Sequence, residues 1–172
     1  MSRFTISILL VFGLLQLNYS QNKIQQIKPE KILYKSIDST DLFLHVYRPK
    51  SFDKSKVYNC IIFFHGGAWN TGNYKHFQRQ SQYFASRGLI AMTVDYRIRS
   101  KHNITPFESM EDAKSVIRFV RQNSKILSVN PNMIAAGGGS AGGHLAASSA
   151  NIDKFDNKNE NLKISSRPNA LV

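Results

Sequence analysis

Two short apolar-rich runs open the patterned part of the chain, Lys31–Ile37 and Leu42–Arg48. Asp38-Ser39-Thr40-Asp41 separates them, so they read as a β-hairpin, and Pro49 ends the second run. Val57–Phe64 is apolar almost throughout, as a strand buried on both faces requires. It runs into His65-Gly66-Gly67. Tyr74–Arg87 has apolar residues at 74, 77, 84 and 85, with Gly88 just beyond, which predicts a helix closed by glycine. Leu89–Val94 is another strand of the buried type.

Thr105-Pro106-Phe107-Glu108 is a helix start: Thr105 can cap, Pro106 suits the first helical position, and Glu108 can close a capping box. Met110, Ala113, Ile117 and Val120 follow at helical spacing, and the pattern predicts one helix to about Leu127. Met133–Ala136 reads as a short strand, and the small-residue segment Ser140–Ala150 as a helix. Asp153–Asn161 is polar and loop-like. Ala170-Leu171-Val172 reads as the first residues of a further strand. Strands therefore alternate with helices after residue 57. The fold class expected is α/β: a mostly parallel sheet with helices on both faces and an antiparallel pair leading in.

Composition narrows the classes. Of 172 residues, 42% are apolar and 11% aromatic, enough for a core and too much for a disordered chain. Only 20% are charged, which argues against a coiled coil. A single cysteine, Cys60, excludes an intrachain disulfide framework and a multi-cysteine zinc site. The net charge is +12, but the basic residues are scattered with no run of five. That is a protein with a positive field, suited to anionic polysaccharide or membrane surfaces, rather than a nucleic-acid binder.

Residues 1–20, MSRFTISILLVFGLLQLNYS, have Arg3 and then an apolar stretch from Ile6 to Leu17. About a dozen residues at ~1.5 Å each are too few to span a bilayer. The expectation is a signal peptide cleaved near Ser20–Gln21, secretion or periplasmic export, and one domain over residues 21–172 with no membrane span. An uncleaved anchor is the alternative.

Seven of the ten glycines fall in two clusters, Gly66-Gly67 and Gly137-Gly138-Gly139…Gly142-Gly143. Gly138-Gly139-Ser140-Ala141-Gly142 fits G-x-S-x-G, between an expected strand and an expected helix. That context is a nucleophile elbow, in which a tight turn lifts a serine Oγ above the sheet edge and flanking glycines avoid a clash. Without chemistry the same motif is only a glycine-rich strand–helix turn. Gly66 and Gly67 N–H, with Ala141 N–H, can form an oxyanion hole, since glycine lets a backbone approach an acyl oxygen closely. His65 is expected to anchor that loop by hydrogen bonds rather than to act as a base.

Taken together, His65-Gly66-Gly67-Ala68-Trp69, Val94-Asp95-Tyr96-Arg97, the helix start from Pro106 to Glu111-Asp112, and Gly138-Gly139-Ser140-Ala141-Gly142-Gly143-His144 resemble the α/β-hydrolase-fold esterases and lipases of the hormone-sensitive-lipase-like group. The nearest likeness is to exported carbohydrate-esterase-like members, and it runs from about Lys31 to Val172. The resemblance implies a serine nucleophile at Ser140, three oxyanion amides, no cofactor and no metal, and hydrolysis of small-molecule or polysaccharide esters, with short acyl groups such as acetyl or feruloyl. It implies structural roles for Asp95, Tyr96, Arg97 and Asp112.

In that fold the triad order is Ser…Asp/Glu…His. No histidine follows His144, which lies one helical turn beyond Ser140 and is poorly placed to serve it. His45, His76 and His102 precede the serine, and Asp153 and Asp156 lie too early to be the acid. The expectation is therefore the N-terminal portion of a hydrolase domain, its C-terminal part missing, and inactive as it stands, either a fragment of a longer hydrolase or a natural truncation. Alternatives are a lipase-like or peptidase-like hydrolase, and a non-catalytic exported binding protein of the same fold.

Overall fold

The computed structural model describes residues 27–172. The export signal expected over residues 1–20 lies outside them. Six strands form one sheet: β1 (Glu30–Ile37), β2 (Thr40–Tyr47), β3 (Tyr58–Phe64), β4 (Ile90–Val94), β5 (Val129–Gly138) and β6 (Ala170–Leu171). Their spatial order is β1-β2-β4-β3-β5-β6. β1 pairs antiparallel with β2, and β2 antiparallel with β4. β4, β3, β5 and β6 are parallel. Five helices accompany them: α1 (Gln78–Ser86), α2 (Arg99–His102), α3 (Pro106–Gln122), α4 (Ser124–Leu127) and α5 (Ala141–Asn151).

The two faces of the sheet are read directly from β3. Cys60, Ile62 and Phe64 join the large core under α3 and α5, with Met92, Ile117, Val120, Ile134 and Leu145. Ile61 and Phe63 point the other way, into a smaller core with Tyr47, Ala85 and Ala91 under α1. A strand covered on both sides must be apolar at every position, which explains the unbroken run. The expected fold class is the observed one. None of the described helices is long and apolar enough to cross a membrane.

Several element bounds differ from expectation, each for a local reason. The helix expected from Tyr74 begins as a 3-10 turn, Tyr74–Phe77, because the Asn73 side chain accepts from Lys75 N–H and tightens the entry. The long helix expected to reach Leu127 stops at Gln122. Asn123 N–H and Nδ2 both donate to the Phe119 carbonyl, and the single turn of α4 ends on Ser128 at φ 60°. β5 begins at Val129, four residues earlier than its apolar signature. Its first pairing, Tyr58 with Val129, is followed by an irregular register before Cys60 meets Ile134. The capping box at Thr105 and Glu108 forms as expected.

Candidate active site

The turn from β5 into α5 puts Ser140 at φ 53° and ψ −120°, exposed, at the N-cap of the helix. A left-handed serine is strained by about 1–3 kcal/mol, and such strain persists only where packing enforces it. The packing is evident. A Cβ on Gly142 would sit 2.0 Å from the Phe64 carbonyl oxygen, so α5 can lie this close to β3 only with glycine there. Gly138, the last residue of β5, is wedged between the same carbonyl and Gly142.

The loop after β3 faces this turn. A Cβ on Gly66 would come within 3.5 Å of Ser140 Cβ. Gly67 has φ +123°, a conformation that side chains rarely adopt. Its carbonyl accepts from Asn70 N–H (2.9 Å) and Thr71 N–H (3.0 Å), which closes the loop. Among the described residues, the N–H groups of Gly66 and Gly67 have no acceptor. Ala141 is the first residue of α5, so its N–H has no intrahelical partner. Three amide donors therefore stand unspent on the loop and the turn that meet at the exposed Ser140.

Behind the loop is a framework of buried polar groups. His65 Nδ1 donates to the Gly66 carbonyl (2.8 Å), and its ring stacks on Tyr96 at 4.2 Å. Burial pushes its pKa below the ordinary value of 6.5, against the upward pull of that hydrogen bond, so the ring is neutral. Tyr96 Oη donates to the His65 carbonyl (2.7 Å), and Arg99 N–H to the Trp69 carbonyl (2.8 Å). Between those two anchors, Arg97 is clamped by Asp112. The fully buried carboxylate accepts from Arg97 N–H (3.0 Å), Nε (2.9 Å) and Nη2 (2.9 Å), and from Lys35 Nζ (2.7 Å). Asp95 accepts from His45 Nε2 (2.9 Å), and its backbone carbonyl from Tyr34 Oη (2.8 Å).

The histidines are spread around this framework. His45 is tied to Asp95 and stacked on Tyr74. His102 Nδ1 accepts from Ile98 N–H (2.9 Å), and His76 lies edge-on to His65. His144 is exposed, perpendicular to Trp69, with Nδ1 paired to Ser148 Oγ (3.3 Å). Among the described residues, no histidine is hydrogen-bonded to Ser140, and no cluster of His, Cys, Asp or Glu could hold a metal ion.

The BD-FAE family model matches residues 44–171, which include the loop, the Asp95–Arg97 stretch and the elbow. The chain belongs to the BD-FAE family, within the α/β-hydrolase-fold esterases. Carboxylesterase NlhH of Mycobacterium tuberculosis is 30% identical over 116 residues, covering 66% of this chain and 34% of its own. Esterase 2 of Thermogutta terrifontis, solved phosphonylated by cyclosarin, is 42% identical with a TM-score of 0.82, over 83% of this chain and 54% of that one. The same esterase with butyrate bound is 41% identical with a TM-score of 0.81, over 87% of this chain and 53% of that one. The chain thus spans about a third of the curated relative and about half of the solved esterase.

Two members of the framework were not expected from the sequence. Lys35, within the first β-like run, carried no signal of its own, yet it is buried against Asp112, Glu111 and Ser115. The β1–β2 register shifts between Leu33 and Lys35, so Tyr34 and Lys35 both turn inward. His45 carried no signal beyond its place in a half-buried strand.

Proposed function

We propose that the protein is a secreted serine esterase that cleaves short acyl esters of carbohydrates. The observation that carries this reading is the exposed, left-handed Ser140, with the unspent N–H groups of Gly66, Gly67 and Ala141 on the loop and turn that meet there. Ser140 Oγ attacks the acyl carbon and loses its proton to a general base. The carbonyl oxygen, now negative, accepts from the three amides, which are already oriented by Gly67, His65 and the start of α5. The alcohol leaves with a proton, and water then releases the acid from the acyl-serine. The base lies outside residues 27–172, consistent with the fraction of the related esterase that this chain spans. The butyrate-bound relative supports a short acyl group. Arg3 and the Ile6–Leu17 stretch support export.

A non-catalytic ester-binding protein is the second reading, favoured by the lack of a histidine on Ser140 among the described residues. Hydrolysis of p-nitrophenyl butyrate by the protein expressed from its complete natural reading frame separates the two. The esterase reading requires turnover that Ser140→Ala lowers by at least about 10³-fold. Saturable binding with no Ser140-dependent turnover supports the second.

A further inference from the structure

The chain's charge is unevenly placed. Between Asp53 and Glu108 it carries eight Lys and Arg residues and a single acid, Asp95. Asp95 is paired with His45. Most acids elsewhere are also engaged: Glu30 with Arg48, Glu111 and Asp112 with Lys35 and Arg97, Asp156 with Lys114 and Arg118, Glu160 with Arg118, and Asp153 with Arg167. Exposed Lys75, Arg79 and Arg99 have no carboxylate within 4.0 Å among the described residues, and residues 1–26 contain no acid.

These cations lie on the two segments that pack against the elbow, through Phe77 beside Gly139 and Trp69 beside His144. Lys75 is two residues from Phe77, whose ring would lie 3.4 Å from a Cβ on Gly139. Arg79 follows in the first turn of α1. Arg99 is bonded through its N–H to Trp69 in the loop that faces Ser140. Lys101 shares a cavity of about 190 Å³ with His65, where Asp41 and Asp95 offset its charge, so it adds less.

Resting on the esterase reading above, we propose that the preferred substrate is an anionic ester, one with a carboxylate near the scissile bond, as an acylated uronic acid has. Unpaired cations at the mouth of a site raise the local concentration of an anionic substrate, by roughly 10- to 1000-fold in on-rate, and the effect falls with ionic strength. The chemistry requires no new step: Ser140 still takes the acyl group, and the carboxylate is drawn in chiefly by Lys75 and Arg79.

The test uses the protein from its complete natural reading frame and two matched esters, 4-acetoxybenzoate and its neutral primary amide, 4-acetoxybenzamide. At low salt kcat/KM should favour the anion by about 10-fold or more, and that ratio should collapse at high salt. Lys75→Gln/Arg79→Gln should remove most of the preference and move kcat/KM for the neutral ester by less than about twofold. Equal kcat/KM for the two esters, or a preference that the double variant and salt leave intact, overturns the proposal while leaving the esterase reading standing. Absence of Ser140-dependent turnover of either ester overturns the esterase reading itself.

Discussion

Replacing Asp112 by alanine tests whether the buried framework, rather than the loop's own bonds, holds the site together. Asp112 is fully buried and accepts four hydrogen bonds between 2.7 and 3.0 Å. Without it, the side chains of Lys35 and Arg97, 6% and 8% exposed, keep only Glu111 as an ionic partner, at 2.7 and 3.2 Å. Breaking one side of a buried ion pair costs about 3–5 kcal/mol, because the remaining charge stays out of water. Glu111 retains part of the compensation, so about 3 kcal/mol is expected, seen as a lower midpoint in urea. Glu111→Gln is the control. That carboxylate is 27% exposed, and its loss should cost about 1 kcal/mol or less. Asp112→Ala should also lower kcat on p-nitrophenyl butyrate per folded molecule, since the anchors Tyr96 to His65 and Arg99 to Trp69 flank Arg97. If the alanine variant lies within about 1 kcal/mol of the Glu111 control, the framework is not what orders the loop.

Three further outcomes follow from single positions. Gly67→Val should lower kcat by about 100-fold or more, since one oxyanion donor contributes roughly 3 kcal/mol and a Cβ there would meet the Thr71 carbonyl at 2.2 Å; steady-state kinetics on folded variant reads it. His65, buried and neutral, has its pKa depressed below 6.5. The unfolded chain therefore binds more protons just below that pH, so stability is full above 6.5 and is lost as pH falls toward the folded-state value. Urea titrations across that range should show a slope that His65→Gln flattens. Cys60 is buried, and burial drives its thiol far above the usual range, so it should ignore Ellman's reagent in the native state and react only on unfolding.

The parallel sheet, the helix start at Thr105 and the turn at Ser140 were legible because each rests on local chemistry. An unbroken apolar run requires two covered faces, Thr105 with Glu108 fixes a cap, and glycines beside Ser140 mark backbones in near contact. What escaped depends on partners distant in sequence. Lys35 turns inward because β1 slips register against β2, and its partners, Glu111 and Asp112, lie more than seventy residues away. The end of α3 was overrun because the apolar pattern continues to Leu127, whereas Asn123 folds its amide back onto Phe119. The early start of β5 was hidden because Asn130, Pro131 and Asn132 carry no strand signal. The motif also located Ser140 without revealing that His45 would be spent on Asp95 and His144 on Ser148.

Every step of the proposed chemistry depends on Ser140 acting as a nucleophile beside three free amides. The direct measurement is peptide mass mapping of the protein, expressed from its complete natural reading frame, after exposure to diethyl p-nitrophenyl phosphate. One diethylphosphoryl group is expected, on the peptide carrying Ser140, formed in step with loss of esterase activity and absent in Ser140→Ala. Label on another serine, or full loss of activity with Ser140 unmodified, would contradict it.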